Sequence, residues 1–213
     1  MWPEVAVAAT ATIGERRGTL RPTIGGNVKA SSRSPEGELH LWHARLDGDG
    51  RPEAGALPAA ERERAARLVR PEARRRWVGS RWALRRVLGH YLEREPADIE
   101  LRLGHRGKPH LVDRDAALRF NLSHSGELAL IAVVEGLEVG VDVQRLGPRP
   151  AEFYADWTQR EAIAKCHGVG LWAPLPDAPV TAAGFDAGTE FAAAVAVGGD
   201  RLPRLRHLTV ESG

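Results

Sequence analysis

At 213 residues, with 43% hydrophobic and 27% charged side chains, the chain has the composition of a soluble globular protein with material for one large core or two small ones. A formal net charge of only +2 excludes the global positive field of a nucleic-acid coat, and no run approaches the ~18 apolar residues that a membrane span needs. The single cysteine, Cys166, excludes an internal disulfide, and the N-terminus lacks the basic and apolar regions of a secretory signal, so the expectation is a cytoplasmic protein.

Residues 1–36 are rich in Thr, Gly, Ser, Arg and Pro without sustained period and read as a flexible N-terminal extension. Leu39 to Ala44 alternates as a strand. Leu57-Pro58-Ala59-Ala60-Glu61 opens a charged helix that Pro71 breaks, and a second helix runs from about Glu72 to Leu92 with Trp77, Val87, Leu88 and Tyr91 on an apolar stripe. Strand patterns then follow at Ile99–Leu103, Arg119–Ser123, Leu128–Val134 and Val139–Val143. A helix from about Phe153 to His167 stops at Gly168, and Glu190 to Val197 reads as the last strand. The order points to an α+β protein, with an N-terminal half over residues 37–136 and a C-terminal half over 137–213.

Four short segments carry polar groups where chemistry needs them. Gly107-Lys108-Pro109 frames a lysine in a turn, and only Lys29, Lys108 and Lys165 are lysines among 30 basic residues, so a point charge held at a fixed place suits a phosphate. Asn121-Leu122-Ser123-His124-Ser125-Gly126 offers several donors between two apolar strands; its plain alternative is a satisfied polar turn. Asp142 and Gln144 share a strand face, and an acid between Val141 and Val143 is costly unless paired, metal-bound or at an exposed edge. Glu161 and Lys165 lie one helical turn apart, which is either a surface ion pair or, with Asp142, a second hard oxygen ligand for Mg²⁺. The many arginines of the first two helices read mostly as a solvated face, with a subset available to an acidic ligand.

Taken together and in this order, Gly107 to Pro109, Phe120 to Gly126, Gly140 to Gln144 and Trp157 to Lys165 resemble the four motifs of the 4′-phosphopantetheinyl transferase superfamily, nearest to its larger monomeric type that activates surfactin synthetase. The resemblance implies two similar α/β halves related by a pseudo-twofold axis, with coenzyme A between them, and transfer of its 4′-phosphopantetheine to a serine of an apo acyl or peptidyl carrier protein. It maps the metal ligands for Mg²⁺ onto Asp142, Gln144 and Glu161, and the catalytic roles onto Glu161 and Lys165. It maps the coenzyme A contacts onto Lys108, Ser123 and His124, with Arg64 and Arg76 from the first helices. Gln144 stands where the family often has Glu and contributes no charge, Arg160 replaces the usual motif lysine, and only 13 residues separate Val143 from Trp157, so the second half reads as shortened. These departures motivate an alternative, a non-catalytic coenzyme A or carrier-protein binder. A nucleic-acid binder is disfavoured because no basic strand face carries interleaved aromatics.

Overall fold

Alternating side chains along the strands sort the chain into four layers, helix on sheet on sheet on helix. The computed structural model describes residues 37–47, 54–104, 107–112, 117–170 and 172–210; the extension expected over 1–36 lies outside the described residues. The elements are β1 (Glu38–Arg45), α1 (Ala59–Ala66), α2 (Pro71–Leu92), β2 (Leu101–Leu103), β3 (Pro109–Leu111), β4 (Leu118–Ser125), β5 (Leu128–Glu135), β6 (Val139–Arg145), α3 (Ala151–His167), β7 (Val180–Phe185), β8 (Phe191–Gly198) and β9 (Arg204–Thr209). One sheet has the order β4-β5-β1-β9, a second β6-β8-β7, and β2 pairs with β3 alone.

Helix α2 begins with Pro71 at its first position, which fixes φ and keeps Arg70 extended. It buries Ala83, Leu84, Val87 and Leu88 against Trp42, Phe120, Ile131 and Val133 of the first sheet. The other face of that sheet, with Leu39, Leu41, Leu128, Leu130 and Ala132, packs on Val139, Val141, Val143, Val195 and Val197 of the second. Each fully buried Leu or Val contributes roughly 1.5–3 kcal/mol relative to exposure, so this inter-sheet layer holds the molecule together. On the far side of the second sheet, α3 packs Ala162 and Cys166 on Ala194 and Ala196. The small residues allow a close approach. A Cβ on Gly140 would stand 2.0 Å from the Ala162 carbonyl oxygen, so only glycine lets β6 and α3 meet here.

The chain does not end with the strand at residues 191–198. β9 follows it and adds to the first sheet, parallel to β1, with Leu41 opposite His207. Its polar Arg204, Arg206 and His207 break the apolar alternation that marks a strand in sequence. Leu205 and Leu208 reach the two cores, and the free edge of β1 supplies the backbone partners. Strand β7, with Ala and Gly at its centre, was equally hidden by low intrinsic strand preference. No helix among the described residues is long and apolar enough to cross a membrane.

His43 of β1 lies at the junction of the sheets, its Nε2 3.1 Å from His207 Nδ1 of β9 and its ring 6.3 Å from that of Phe185 of β7. Burial, and then the neighbouring His207, push its pKa from 6.5 down to about 4 against the attraction of Asp186. The unfolded chain therefore takes up a proton near pH 6.5 that the folded chain refuses until about pH 4, and stability falls as pH drops through that window. Urea midpoints at pH 7 and pH 5 are expected to differ less in His43→Gln than in the wild-type chain; an equal loss would remove His43 as the cause.

Candidate active site

Strands β4 and β6 are edge strands of different sheets and share no backbone ladder, yet they run side by side. Side chains stitch them. The backbone N–H of Val141 donates to Asn121 Oδ1 (2.9 Å), that of Val143 to Ser123 Oγ (3.4 Å), and that of Arg145 to Ser125 Oγ (3.0 Å). Alternate residues of the β4 motif thus satisfy alternate donors of β6, each of which would cost about 1–3 kcal/mol if buried unpaired. The intervening residues, Leu122 and His124, line a cavity on the other side. Gly126, at φ 55°, then turns the chain into β5.

The stitch delivers Ser123 to Asp142. Ser123 Oγ donates to Asp142 Oδ1 at 2.8 Å, and Lys165 Nζ donates to the same oxygen at 2.6 Å and to Ser123 Oγ at 3.1 Å. Asp142 is only 2% exposed, so of the alternatives for this acid the structure takes the buried, paired one. Lys165 therefore turns to Asp142, across the helix–sheet interface. Glu161, half-buried one turn earlier on α3, has its carboxyl held above the ordinary 4.5 by burial; Lys165 opposes this and the Asp142 charge adds to it. Gln144, two residues beyond Asp142 on the same strand face, is partly exposed.

Among the described residues one buried side-chain atom stands apart: Asp142 Oδ2 has no hydrogen-bond partner. A carboxylate oxygen in that state is expensive, and a hard cation satisfies it. Among the described residues no three His, Cys, Asp or Glu side chains form a ready-made cage. Two carboxylates and an amide nevertheless suit Mg²⁺, which takes few protein ligands and completes its shell with water and phosphate oxygens. The donor set fits that ion.

A cavity of about 520 Å³ opens on the other side of β4 from Ser123, between α1, α2, β2 and the β4 motif. Arg64, Arg81, Arg85 and Arg102 line it against Glu61 and Glu100, together with Trp77, Gly107, Pro109 and His124, an arrangement that favours an anionic ligand with a flat apolar part. His124 shows much of its surface to solvent. Even so, protein packed round one side of the ring, and then the cations of Lys165 and Arg76, keep its pKa below 6.5. Arg76 is not part of the cavity lining; it pairs with Glu127 at 2.7 Å. Lys108 reaches away from the cavity: its Nζ donates to Glu138 Oε2 (3.1 Å), to the Val139 carbonyl (3.0 Å) and to the Cys166 carbonyl (3.5 Å) in the last turn of α3.

The cavity wall holds two arginines that the sequence did not single out from the many on these helices. Arg81 and Arg85 are 8% and 4% exposed, and both grip Glu61: Arg81 Nε donates to Oε1 at 2.8 Å and Arg85 Nε to Oε2 at 2.7 Å. Arg85 also donates to the Ile99 carbonyl at 2.8 Å, which fixes the segment leading into β2. Their signal in sequence was the i, i+4 spacing within the apolar stripe of α2, obscured by the abundance of arginine all round the helix.

Comparison with known proteins places these features in context. Residues 52–135 match the family model described as 4′-phosphopantetheinyl transferase, N-terminal. The chain is 36% identical to the 4′-phosphopantetheinyl transferase HetI of Nostoc sp. over 169 residues, covering 63% of this chain and 70% of that protein. It is 32% identical to the putative 4′-phosphopantetheinyl transferase slr0495 of Synechocystis sp., over 54% of this chain and 58% of that one. It is 33% identical to the 4′-phosphopantetheinyl transferase AcpT of Escherichia coli O157:H7, over 56% of this chain and 69% of that one. The matched region thus spans between 58% and 70% of these relatives.

Removing the Glu61 carboxylate leaves two guanidinium groups buried and unpaired. Glu61→Ala is expected to cost about 3–5 kcal/mol of folding stability, read from urea unfolding. A loss under 1 kcal/mol would show that the pair contributes no more than a surface bridge.

Proposed function

The chain belongs to the 4′-phosphopantetheinyl transferase family, and from that premise we propose that it moves the 4′-phosphopantetheine group of coenzyme A onto a serine of an apo acyl or peptidyl carrier protein, releasing adenosine 3′,5′-bisphosphate. The observation that carries this reading is Asp142, buried, with one oxygen held by Lys165 and Ser123 and the other unpaired, with Glu161 near it and an arginine-lined cavity on the other side of β4. That is a place for a pyrophosphate and its counter-charge.

In this reading the nucleotide end of coenzyme A occupies the cavity, with Arg64 and His124 at its phosphates, and with Arg76, Lys108 and Ser123 as the further contacts. For Lys108 and Ser123 this requires an exchange of their present partners for phosphate oxygens. Asp142, Gln144 and Glu161 would hold Mg²⁺, which supplies charge neutralisation to the pyrophosphate oxygens when bound. Glu161 accepts the proton of the acceptor serine hydroxyl. The serine oxygen forms a bond to the β-phosphorus, the bond from that phosphorus to the bridging oxygen breaks, and the electron pair leaves with adenosine 3′,5′-bisphosphate. Lys165 offsets the charge that develops on the departing phosphate. The four motifs in a single chain support the larger monomeric type with two halves related by a pseudo-twofold axis. A single cysteine suits action in the cytoplasm.

Glu161→Ala is expected to abolish the mass gain of an apo carrier incubated with coenzyme A and Mg²⁺, while far-UV circular dichroism stays unchanged; transfer at the wild-type rate would sink the assignment. In the wild type, activity is expected to fall on acidification, because the base is lost when Glu161 takes a proton. Gln144→Glu adds a third carboxylate and is expected to lower the Mg²⁺ concentration for half-maximal rate by about tenfold, an effect of roughly 1.4 kcal/mol; an unchanged requirement would remove residue 144 from the metal's surroundings.

A further inference from the structure

Resting on the transferase reading, we propose that Lys165 is a built-in competitor of the metal: in the chain alone its ammonium occupies Asp142 and weakens the site for Mg²⁺, and it leaves Asp142 only when the pyrophosphate of coenzyme A offers it another anion. An ammonium has three N–H donors and no more. Lys165 Nζ gives one to Asp142 Oδ1 at 2.6 Å, one to Ser123 Oγ at 3.1 Å and one to the Val141 carbonyl at 3.3 Å. No donor remains for a phosphate oxygen, so Lys165 meets one only by releasing a present partner. The side chain has room to move: it is 29% exposed, while the packing of α3 rests on Ala162 and Cys166.

The charges set the direction of the effect. Gln144 contributes none, so Lys165 cancels one of the two negative charges that Asp142 and Glu161 bring. Asp142 is 2% exposed, and burial leaves little water to screen one cation from another. While Lys165 sits on Oδ1, an ion drawn to the unpaired Oδ2 meets a carboxylate already neutralised and a second positive charge beside it. Once Lys165 turns to phosphate, Asp142 is a buried carboxylate that has lost its counter-charge, which is costly until a cation replaces it. Mg²⁺ and coenzyme A therefore strengthen each other's binding through Lys165, in addition to any direct contact between them, and linkage makes that effect mutual.

The test is calorimetry of Mg²⁺ binding to the full chain without coenzyme A, where transfer plays no part. Lys165→Met keeps the side chain's length and removes its charge, and is expected to bind Mg²⁺ about tenfold more tightly than the wild type. Equal or weaker binding would overturn the proposal. So would a gain that survives the addition of Asp142→Asn, because the ion would then lie elsewhere. A second measurement uses the wild type alone. The sequence has three lysines, so ¹⁵N-lysine labelling gives few ammonium signals, and Lys165→Arg identifies the one from Lys165. At a Mg²⁺ concentration that saturates the chain when coenzyme A is present, that signal is expected to stay in place with Mg²⁺ alone and to shift when coenzyme A is added. A signal that moves with Mg²⁺ alone, or that both together leave unmoved, would also overturn the exchange. Wild-type chain that shows the exchange but modifies no apo carrier would defeat the transferase reading and leave the role of Lys165 standing.

Discussion

Everything at the site depends on how two edge strands from different sheets are joined without a backbone ladder. Asn121, Ser123 and Ser125 present side-chain oxygens to the N–H groups of Val141, Val143 and Arg145 at a two-residue period shared by both strands. An ordinary ladder at this seam would have consumed the same N–H groups with carbonyls and left no hydroxyl against Asp142. The stitch therefore does two things at once: it closes the seam between the sheets, and it brings Ser123 to the acid that the proposed chemistry turns on.

Helix α3 completes the arrangement because Gly140 lets it come close. With the Ala162 carbonyl and the Cys166 amide lying where a Cβ would go, the helix axis is set by contact and cannot settle further out without losing the packing of Ala162 and Cys166. That distance is what carries Lys165 Nζ to 2.6 Å from Asp142 Oδ1. Lys108 fastens the other end, tying the turn that borders the cavity to Val139 at the start of β6 and to Cys166 in the last turn of α3. The cavity and the carboxylate group are thus held to one another through a strand start and a helix end, so a shift in either is felt by both.

Two kinds of buried charge lie within this small region, and they are solved differently. Glu61 shares its two oxygens between Arg81 and Arg85, and Arg85 spends further donors on backbone carbonyls, so that network is closed and rigid. Asp142 is left open at Oδ2. Among the described residues, the Glu61 network is closed by its arginines while Asp142 keeps one buried oxygen unsatisfied, a cost that a bound cation would repay.

The amino-acid sequence by itself determined the elements and the motif residues. Strands over Leu39–Ala44, Leu128–Val134 and Val139–Val143, and helices near 72–92 and 153–167, follow from local periodicity and from Pro71 and Gly168, which act within a few residues. The four motifs were legible because their residue types are uncommon for this chain, as the lysines are. Tertiary structure alone decided the pairings. Lys165 has Glu161 as its nearest neighbour along the helix, yet it bonds to Asp142, because the close seat of α3 on β6 puts a buried carboxylate within reach and burial strengthens that attraction. Arg81 and Arg85 look like their many exposed counterparts until Glu61 of α1 folds over them. Strand β9 exists because β1 has a free edge, which no local pattern in residues 204–209 records. In each case the partner lies far away in the chain, and a side chain's choice among partners is set by distance and burial, which a linear pattern does not contain.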